Sequence, residues 1–263
     1  MTGAVRAVHP ALRGLLAGPM VGYDLRTDPR AVHFGLPAPA ATVILAFEEP
    51  IDVGWADTPG ESARHWQMVS GMHTRPALVH THGTQCGIQL SLTPLGFRLI
   101  LDAPIGALAN EVAGLDELGV PSALHARLAD EPSWDRRLAL LEEELLRRAV
   151  DERASQPGDE VAQAWRLLRR TGARVDEVAG SVGWSRRHLT NRCVAEFGVA
   201  PKQVIRLARF DRSRQAVRSG LTLADAAYRF GFSDQSHLTR EWVQLAGRTP
   251  SQTLAEEFPI LQD

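Results

Sequence analysis

The sequence predicts an α+β chain. A small β-barrel or sandwich-like domain with C-terminal helices comes first, then an all-α domain with two helix-turn-helix units joined by a linker helix. Three observations carry this expectation. Short β-type runs broken by Gly and Pro occupy the chain up to Pro94, and helical apolar spacing takes over after it. The stretches VDEVAGSVGWSRRHLTNRCVAEF (Val175–Phe197) and LTLADAAYRFGFSDQSHLTREWVQL (Leu221–Leu245) each give a short amphipathic helix, a Gly turn and a polar-faced helix. Charge is also divided. Residues 164–253 hold 16 Lys and Arg against 7 Asp and Glu, a balance of +9, while the whole chain has a formal net charge of -2, which leaves -11 for the rest. A basic module beside an acidic one suits a nucleic-acid binder whose first domain stays off the phosphates.

A length of 263 residues suits two domains. Hydrophobic residues make up 44% and charged residues 23%, as in soluble globular proteins, and the absence of a long apolar run excludes a membrane span. The N-terminal stretch is interrupted by Pro10, Gly14, Gly18 and Pro19, unlike the apolar core of a secretory signal, so a cytoplasmic location is expected. Cys86 and Cys193 fall in different expected domains, which argues against a disulfide, and they form no zinc-type spacing.

Residues 1–30 read as a loop with a helical turn. ATVILAF (residues 41–47), IDVGWA (Ile51–Ala56), RHWQMVSGM (Arg64–Met72), ALVHTHG and QCGIQLSLTP (within Ala77–Pro94) read as strands. FRLILDAP (Phe97–Pro104) fits either a last strand or the start of a helix. Helical spacing covers Ile105–Val112, Ser122–Ala129 and Ser133–Arg153. In the last, Trp134, Leu138, Leu141, Leu145 and Leu146 form one stripe, with Ser133 as the cap. ASQPG at residues 154–158 marks a boundary. The expected domains are therefore residues 1–154, for effector sensing or dimerisation, and residues 159–258, for DNA.

In the first unit Val175, Val178, Ala179 and Val182 face a core. Gly183 makes the turn, Trp184 plugs it, Ser185 caps the next helix, and Leu189 and Cys193 point inward. Outward stand Arg187, Thr190 and Asn191 as base readers, with Arg186 placed for phosphate. In the second unit Thr222 and Asp225 fit a capping box, Gly231 turns, Phe232 plugs and Ser233 caps; Leu238 and Trp242 point inward. Gln235, Ser236, Thr239 and Arg240 face DNA. Arg can donate twice to guanine, Asn can pair bidentately with adenine, and a Thr methyl can touch thymine. Helices 185–196 and 234–245 are expected to read successive major grooves of double-stranded DNA, about 34 Å apart. A plain solvated face is the competing reading for each of these side chains. Arg209, on the linker helix among apolar residues, reads as structural or as a phosphate contact. His237 reads as a helix-edge or phosphate residue.

In the first domain His80 and His82 share a strand face with Cys86 close in sequence, donors suited to zinc or another borderline metal. Ordinary surface or pocket-edge histidines are favoured, so neither a metal nor a cofactor is expected. Trp55, Trp66, His80, His82 and Gln89 are candidate effector-pocket residues. No phosphate loop, nucleophile triad or carboxylate pair occurs, so an enzyme is not expected.

AAYRFGFSDQSHLTREW (Ala226–Trp242), GRTPSQ (Gly247–Gln252) and Arg209 on the linker helix together resemble the DNA-binding domain of the AraC/XylS family, over residues 159–253. The resemblance implies a sequence-specific transcription regulator, since members typically activate or repress transcription and many sense a small molecule through a β-rich N-terminal domain. A small-molecule effector, a homodimer and contact with RNA polymerase stay open as partners. The chain departs from the family pattern where Cys193 and Trp242 stand in place of the common Phe, and where Val194 and Val243 replace basic residues. Ser251, Gln252 and Thr253 replace the usual aromatic after the terminal Pro. The Gly71–Pro76 stretch, LTPLGFRLIL and ELGVPSALHARL give the first domain a fainter similarity to an uncharacterised domain attached to some regulators. The alternatives are an enzyme or a metal or ligand sensor tethered to DNA, or a protein-interaction module that has lost specific DNA binding.

Overall fold

The computed structural model describes residues 2–58, 60–150 and 158–256. Strands β1 (Thr2–Arg6), β2 (Met20–Arg26), β3 (Val32–Gly35), β4 (Ala41–Ala46), β5 (Ile51–Trp55), β6 (Ser62–His65), β7 (Gln67–Ser70), β8 (Ala77–His80) and β9 (Thr84–Leu92) precede helix α1 (Pro94–Leu101). A 3-10 turn (Ile105–Leu108), β10 (Val112–Gly114), α2 (Ser122–Asp130) and α3 (Trp134–Ala149) follow. The rest is helical: α4 (Asp159–Leu168), α5 (Val175–Ser181), α6 (Arg186–Phe197), α7 (Pro201–Arg218), α8 (Leu223–Arg229), α9 (Gln235–Ala246) and α10 (Pro250–Glu256). A β-rich domain followed by a helical one is thus observed. The expected boundary at residues 154–158 lies, except for Gly158, outside the described residues, as do residues 257 and 258 at the expected end of the second domain.

The strands form two antiparallel sheets, in the orders β1-β2-β9-β4-β7-β10 and β3-β8-β5-β6. Side-chain alternation sorts them into layers. Val43, Leu45, Val69, Ile88, Leu90 and Leu92 turn one face of the larger sheet toward Phe97, Leu138, Leu141 and Leu145 of the helices. Ile44 and Met68 turn the other face toward Ile51, Val53 and Ala77 of the smaller sheet. The larger sheet is covered on both faces, which explains the continuous apolar run of β4. The sandwich half of the predicted alternatives is the one observed.

Four local expectations are corrected. Residues 2–30 carry the expected helical turn, at Pro10–Leu12, but are otherwise not a loop: β1 and β2 pair, and Arg6 is tied to Glu142 of α3 at 2.7 Å. Gly22 in β2 is a packing residue, since a Cβ there would come within 2.5 Å of the Trp134 ring. RHWQMVSGM divides at Trp66 into β6 and β7, which belong to different sheets. Ile105–Val112 is a 3-10 turn running into the start of β10 instead of a helix. Ser133 makes no side-chain cap; the Glu131 carboxylate accepts from the Ser133 N–H at 2.9 Å instead. The ambiguous FRLILDAP run is helical. The Thr93 hydroxyl accepts from the Gly96 N–H at 3.0 Å and Pro94 occupies the first turn, so a strong local cap decides for helix.

The main apolar core runs from the sheets through α3 into Val161, Trp165, Leu189, Phe197 and Val204 of the helical part. A second core joins Leu207, Phe210, Ala226, Leu238, Trp242 and Leu245. The first helix-turn-helix unit therefore shares its core with the β-rich domain, while the second has its own. Among the described residues no helix is long and apolar enough to cross a membrane.

His73 sits buried beside this sandwich, its ring edge-on to Trp55 at 5.3 Å and its Nδ1 2.6 Å from the Arg75 carbonyl. A carbonyl only accepts, so Nδ1 carries the proton. Burial pushes the ring's pKa down from 6.5 to about 4. The unfolded chain then binds a proton that the folded chain does not. This contribution to stability is complete above pH 6.5 and is lost as pH falls toward 4. Urea unfolding at pH 7 and pH 5 should show a loss of about 2 kcal/mol in the wild type that is missing in His73→Gln. Equal pH slopes in the two proteins would refute the assignment.

Candidate nucleic-acid interface

The two helix-turn-helix units are built by the same local chemistry. In the first, Gly183 adopts φ +71°, the Trp184 N–H reaches the Ala179 carbonyl at 2.8 Å, and the Ser185 hydroxyl accepts from the His188 N–H at 3.1 Å. In the second, Gly231 adopts φ +75° and the Phe232 N–H reaches the Ala227 carbonyl at 2.9 Å. Here the expected cap is corrected: Asp234, not Ser233, caps α9, its carboxylate accepting from the His237 N–H at 2.7 Å. The turn is one residue longer than in the first unit. A carboxylate serves this position well because it also faces the positive end of the helix dipole. The His237 N–H bond holds the Asp234 pKa below its ordinary value.

Aligned on their caps, Arg186 corresponds to Gln235, Arg187 to Ser236, Thr190 to Thr239 and Asn191 to Arg240. Leu189 and Cys193 of α6, and Leu238 and Trp242 of α9, are buried as expected. Arg186, Arg187, Asn191, Gln235, Ser236 and Arg240 are exposed, and Thr190 and Thr239 are half-buried. Each helix therefore brings its predicted residues to one outward face. Arg186 already leans on Asp176 of α5, with Nε 2.6 Å from Oδ1. Both partners are largely exposed, so the pair is worth about 0–1 kcal/mol and yields easily to a phosphate. The Thr190 hydroxyl donates to the Arg186 carbonyl at 2.9 Å and the Thr239 hydroxyl to the Gln235 carbonyl at 3.0 Å. Their donors are used within the helix. Their methyl groups and lone pairs remain for a ligand.

Among the described residues Arg187, Arg192 and Arg240 form no ion pair. Arg192 is exposed on α6 and was missed in the sequence; its only signal was its place beside Asn191. Arg209 is structural: its guanidinium pairs with Glu241, lies 4.3 Å over the Phe232 ring and reaches the Gly231 carbonyl at 3.3 Å. Arg206 takes the other Glu241 oxygen at 2.8 Å. Together they fasten the linker helix α7 to the second turn and to α9. His237 resolves as a helix-edge residue, with its ring edge-on to Phe232 at 5.4 Å and Nδ1 3.1 Å from the Ser233 hydroxyl.

The β-rich domain holds the far end of α6. Arg98 of α1 donates to both Glu196 oxygens at 2.7 Å. The 3-10 turn packs closely enough that a Cβ at Gly106 would lie 2.6 Å from the Gly198 nitrogen. In the second unit Arg248 stacks 3.9 Å over Phe34 of β3. These contacts use the C-terminal ends of α6 and α9 and leave their N-terminal reading faces open.

The first-domain candidates separate. His80, His82 and Cys86 line one cleft with Tyr23, Glu49 and Thr84, but Trp55, Trp66 and Gln89 do not line it. Trp55 is covered by Arg75 at 4.5 Å, and Trp66 stands against His125 at 6.2 Å. Strand β8 ends at His80, and buried Thr81 is bound to the Asp28 and Ala31 carbonyls. His82 meets Asp52, the register partner of His80, at 3.1 Å, so both histidines face the same cleft. Among the described residues no three His, Cys, Asp or Glu side chains converge as a metal-ligating group.

Residues 181–256 match a family model described as a helix-turn-helix domain. The chain is 30% identical over 125 residues to the uncharacterized HTH-type transcriptional regulator YbfI of Bacillus subtilis (strain 168), covering 44% of this chain and 46% of that protein. The alignment thus spans about half the length of that relative. The ToxT structure from Vibrio cholerae O395 superposes with a TM-score of 0.55 at 12% identity, over 91% of this chain and 98% of that one. Unsaturated fatty acid bound ToxT from Vibrio cholerae strain SCE256 gives 0.53 at 12% identity, over 90% and 94%. At such identities the likeness is one of fold, and it spans both the β-rich and the helical parts. The family match places a helix-turn-helix domain at residues 181–256, in agreement with the capped repeat of α5–α6 and α8–α9.

Proposed function

We propose that the chain is a sequence-specific double-stranded DNA-binding transcription regulator, acting in the cytoplasm, whose helices α6 and α9 read successive major grooves. One observation carries this reading: two helices capped in the same register present open, polar, Arg-bearing faces, the second of them held to α7 by Arg206 and Arg209. Arg187 and Arg240 read guanine, Asn191 and Gln235 read adenine, and Thr190 and Thr239 offer methyl groups. Arg186 takes a phosphate and Ser236 contacts a base edge or sugar. The β-rich domain receives a small-molecule effector. The fatty-acid complex of a protein sharing both parts of the fold supports that assignment, and the Arg98–Glu196 contact gives the domain a physical connection to α6.

Selection from random genomic fragments, followed by titration of the enriched duplex, tests the reading. Arg187→Ala and Arg240→Ala should each lose about 1–3 kcal/mol on that duplex and much less on a scrambled one. Arg186→Ala should weaken both alike and reduce the salt slope by about one. Recovery of no enriched sequence, with binding equal on every duplex, would sink the proposal.

A further inference from the structure

Two of the large apolar side chains exposed among the described residues are Val194, at 49%, and Val243, at 40%. Counted from their caps they occupy the same position, one in each reading helix. Each lies four residues after a threonine, Thr190 or Thr239, and so adjoins it on one helix face, with Cβ atoms about 5–6 Å apart. Both threonines have their hydroxyl donors turned back to the helix carbonyls. A single exposed valine on a helix needs no explanation. A repeated threonine–valine pair, beside Asn191 in one helix and Arg240 in the other, is a built feature. The C5 methyl of thymine is the apolar group that unmodified DNA offers in the major groove.

We propose that the pairs Thr190–Val194 and Thr239–Val243 are specificity-determining contacts to thymine methyl groups, one pair per half-site. This rests on the DNA-reading assignment above and adds the base preference to it: each half-site carries thymine next to the bases read by Arg187 and Asn191, or by Arg240. A valine makes no hydrogen bond, so the preference comes from excluding water between methyl groups. One buried methyl is worth roughly a fourfold change in affinity.

The experiment uses the full chain and the duplex enriched by selection, with a second duplex in which deoxyuridine replaces every thymine. Uracil keeps the pairing and the O4 acceptor and lacks only the methyl. Wild-type protein should bind the uracil duplex roughly fourfold more weakly for each methyl contacted. Val194→Ala and Val243→Ala, both at exposed positions, should bind the thymine duplex more weakly and lose most of the discrimination between the two. Val194→Lys should tighten binding to both duplexes, steepen the salt dependence and remove the discrimination at that half-site. If both alanine variants keep the wild-type thymine-to-uracil ratio, or if wild type shows no such ratio, the methyl-reading pairs are wrong while the regulator reading stands. If selection enriches no duplex, both fall together.

Discussion

Replacing Arg98 by alanine is expected to destabilise the protein by about 3–5 kcal/mol, far more than loss of a surface ion pair. Glu196 is only 8% exposed and receives both of its charge-assisted bonds from this one guanidinium, at 2.7 Å each. Without Arg98 the carboxylate stays buried and unpaired. The cost is that stranded charge, rather than the attraction lost. A second substitution separates the two. The position of Glu196 in α6 corresponds to Leu245 in α9, where the same helix packs with a leucine. Adding Glu196→Leu to Arg98→Ala should therefore recover most of the loss, and Arg98→Leu with Glu196→Leu should approach wild type. Urea unfolding followed by tryptophan emission reads this, since Trp165 packs on Phe197 at 4.8 Å, one residue from Glu196. A loss below about 1 kcal/mol in Arg98→Ala would mean that water already reaches the pair.

That pair also shows where the sequence stops being informative. The helix-turn-helix units were legible because their determinants are local. Gly183 and Gly231 supply the positive φ, Ser185 bonds three residues ahead, and Leu189 with Cys193 repeats at helical spacing. Once the inward residues were known, the outward ones followed by exclusion, so the exposed faces of α6 and α9 agree with expectation. Ser233 and Asp234 are both good caps side by side, and only the length of the second turn decides between them. Strand β1, by contrast, has no signature of its own. TGAVR becomes a strand because β2 and Arg6–Glu142 hold it, and Gly22 is required by a tryptophan far along the chain. The first-domain cluster was half legible: His80 and His82 line one cleft with Cys86, while Trp55, Trp66 and Gln89 lie outside it. Thr81, between the two histidines, is bound to carbonyls some fifty residues earlier, which no local pattern announces. Contacts of that range leave no periodicity to read.

The other large effect is expected at Trp242. This indole is fully buried, edge-on to Phe210 at 5.4 Å, and its Nε1–H donates to the Thr253 hydroxyl of α10 at 3.0 Å. Thr253 in turn donates to the Thr249 carbonyl at 2.9 Å, so one ring fixes α9 against both α7 and the last helix. Trp242→Ala should cost about 3–5 kcal/mol through the cavity it leaves. The apolar core it serves is separate from the one shared by the β-rich domain and the first unit. The damage should therefore concentrate in α8–α10: hydrogen exchange should rise there and change little in α4–α6, and binding should keep only the first half-site. Trp242→Phe tests the polar part alone. It refills most of the space, removes the donor, and leaves Thr253 with its own donor still satisfied, so it should cost about 1–2 kcal/mol. Thr253→Val in the wild type strands the buried Nε1–H and should cost about 1–3 kcal/mol, but much less in the Trp242→Phe background. If the two substitutions simply add, the indole nitrogen is solvated by another route and the hydrogen bond does not hold α10 in place. If Trp242→Ala loosens α4–α6 as much as α8–α10, the two units fold as one body, and the linker helix transmits stability between them as well as spacing.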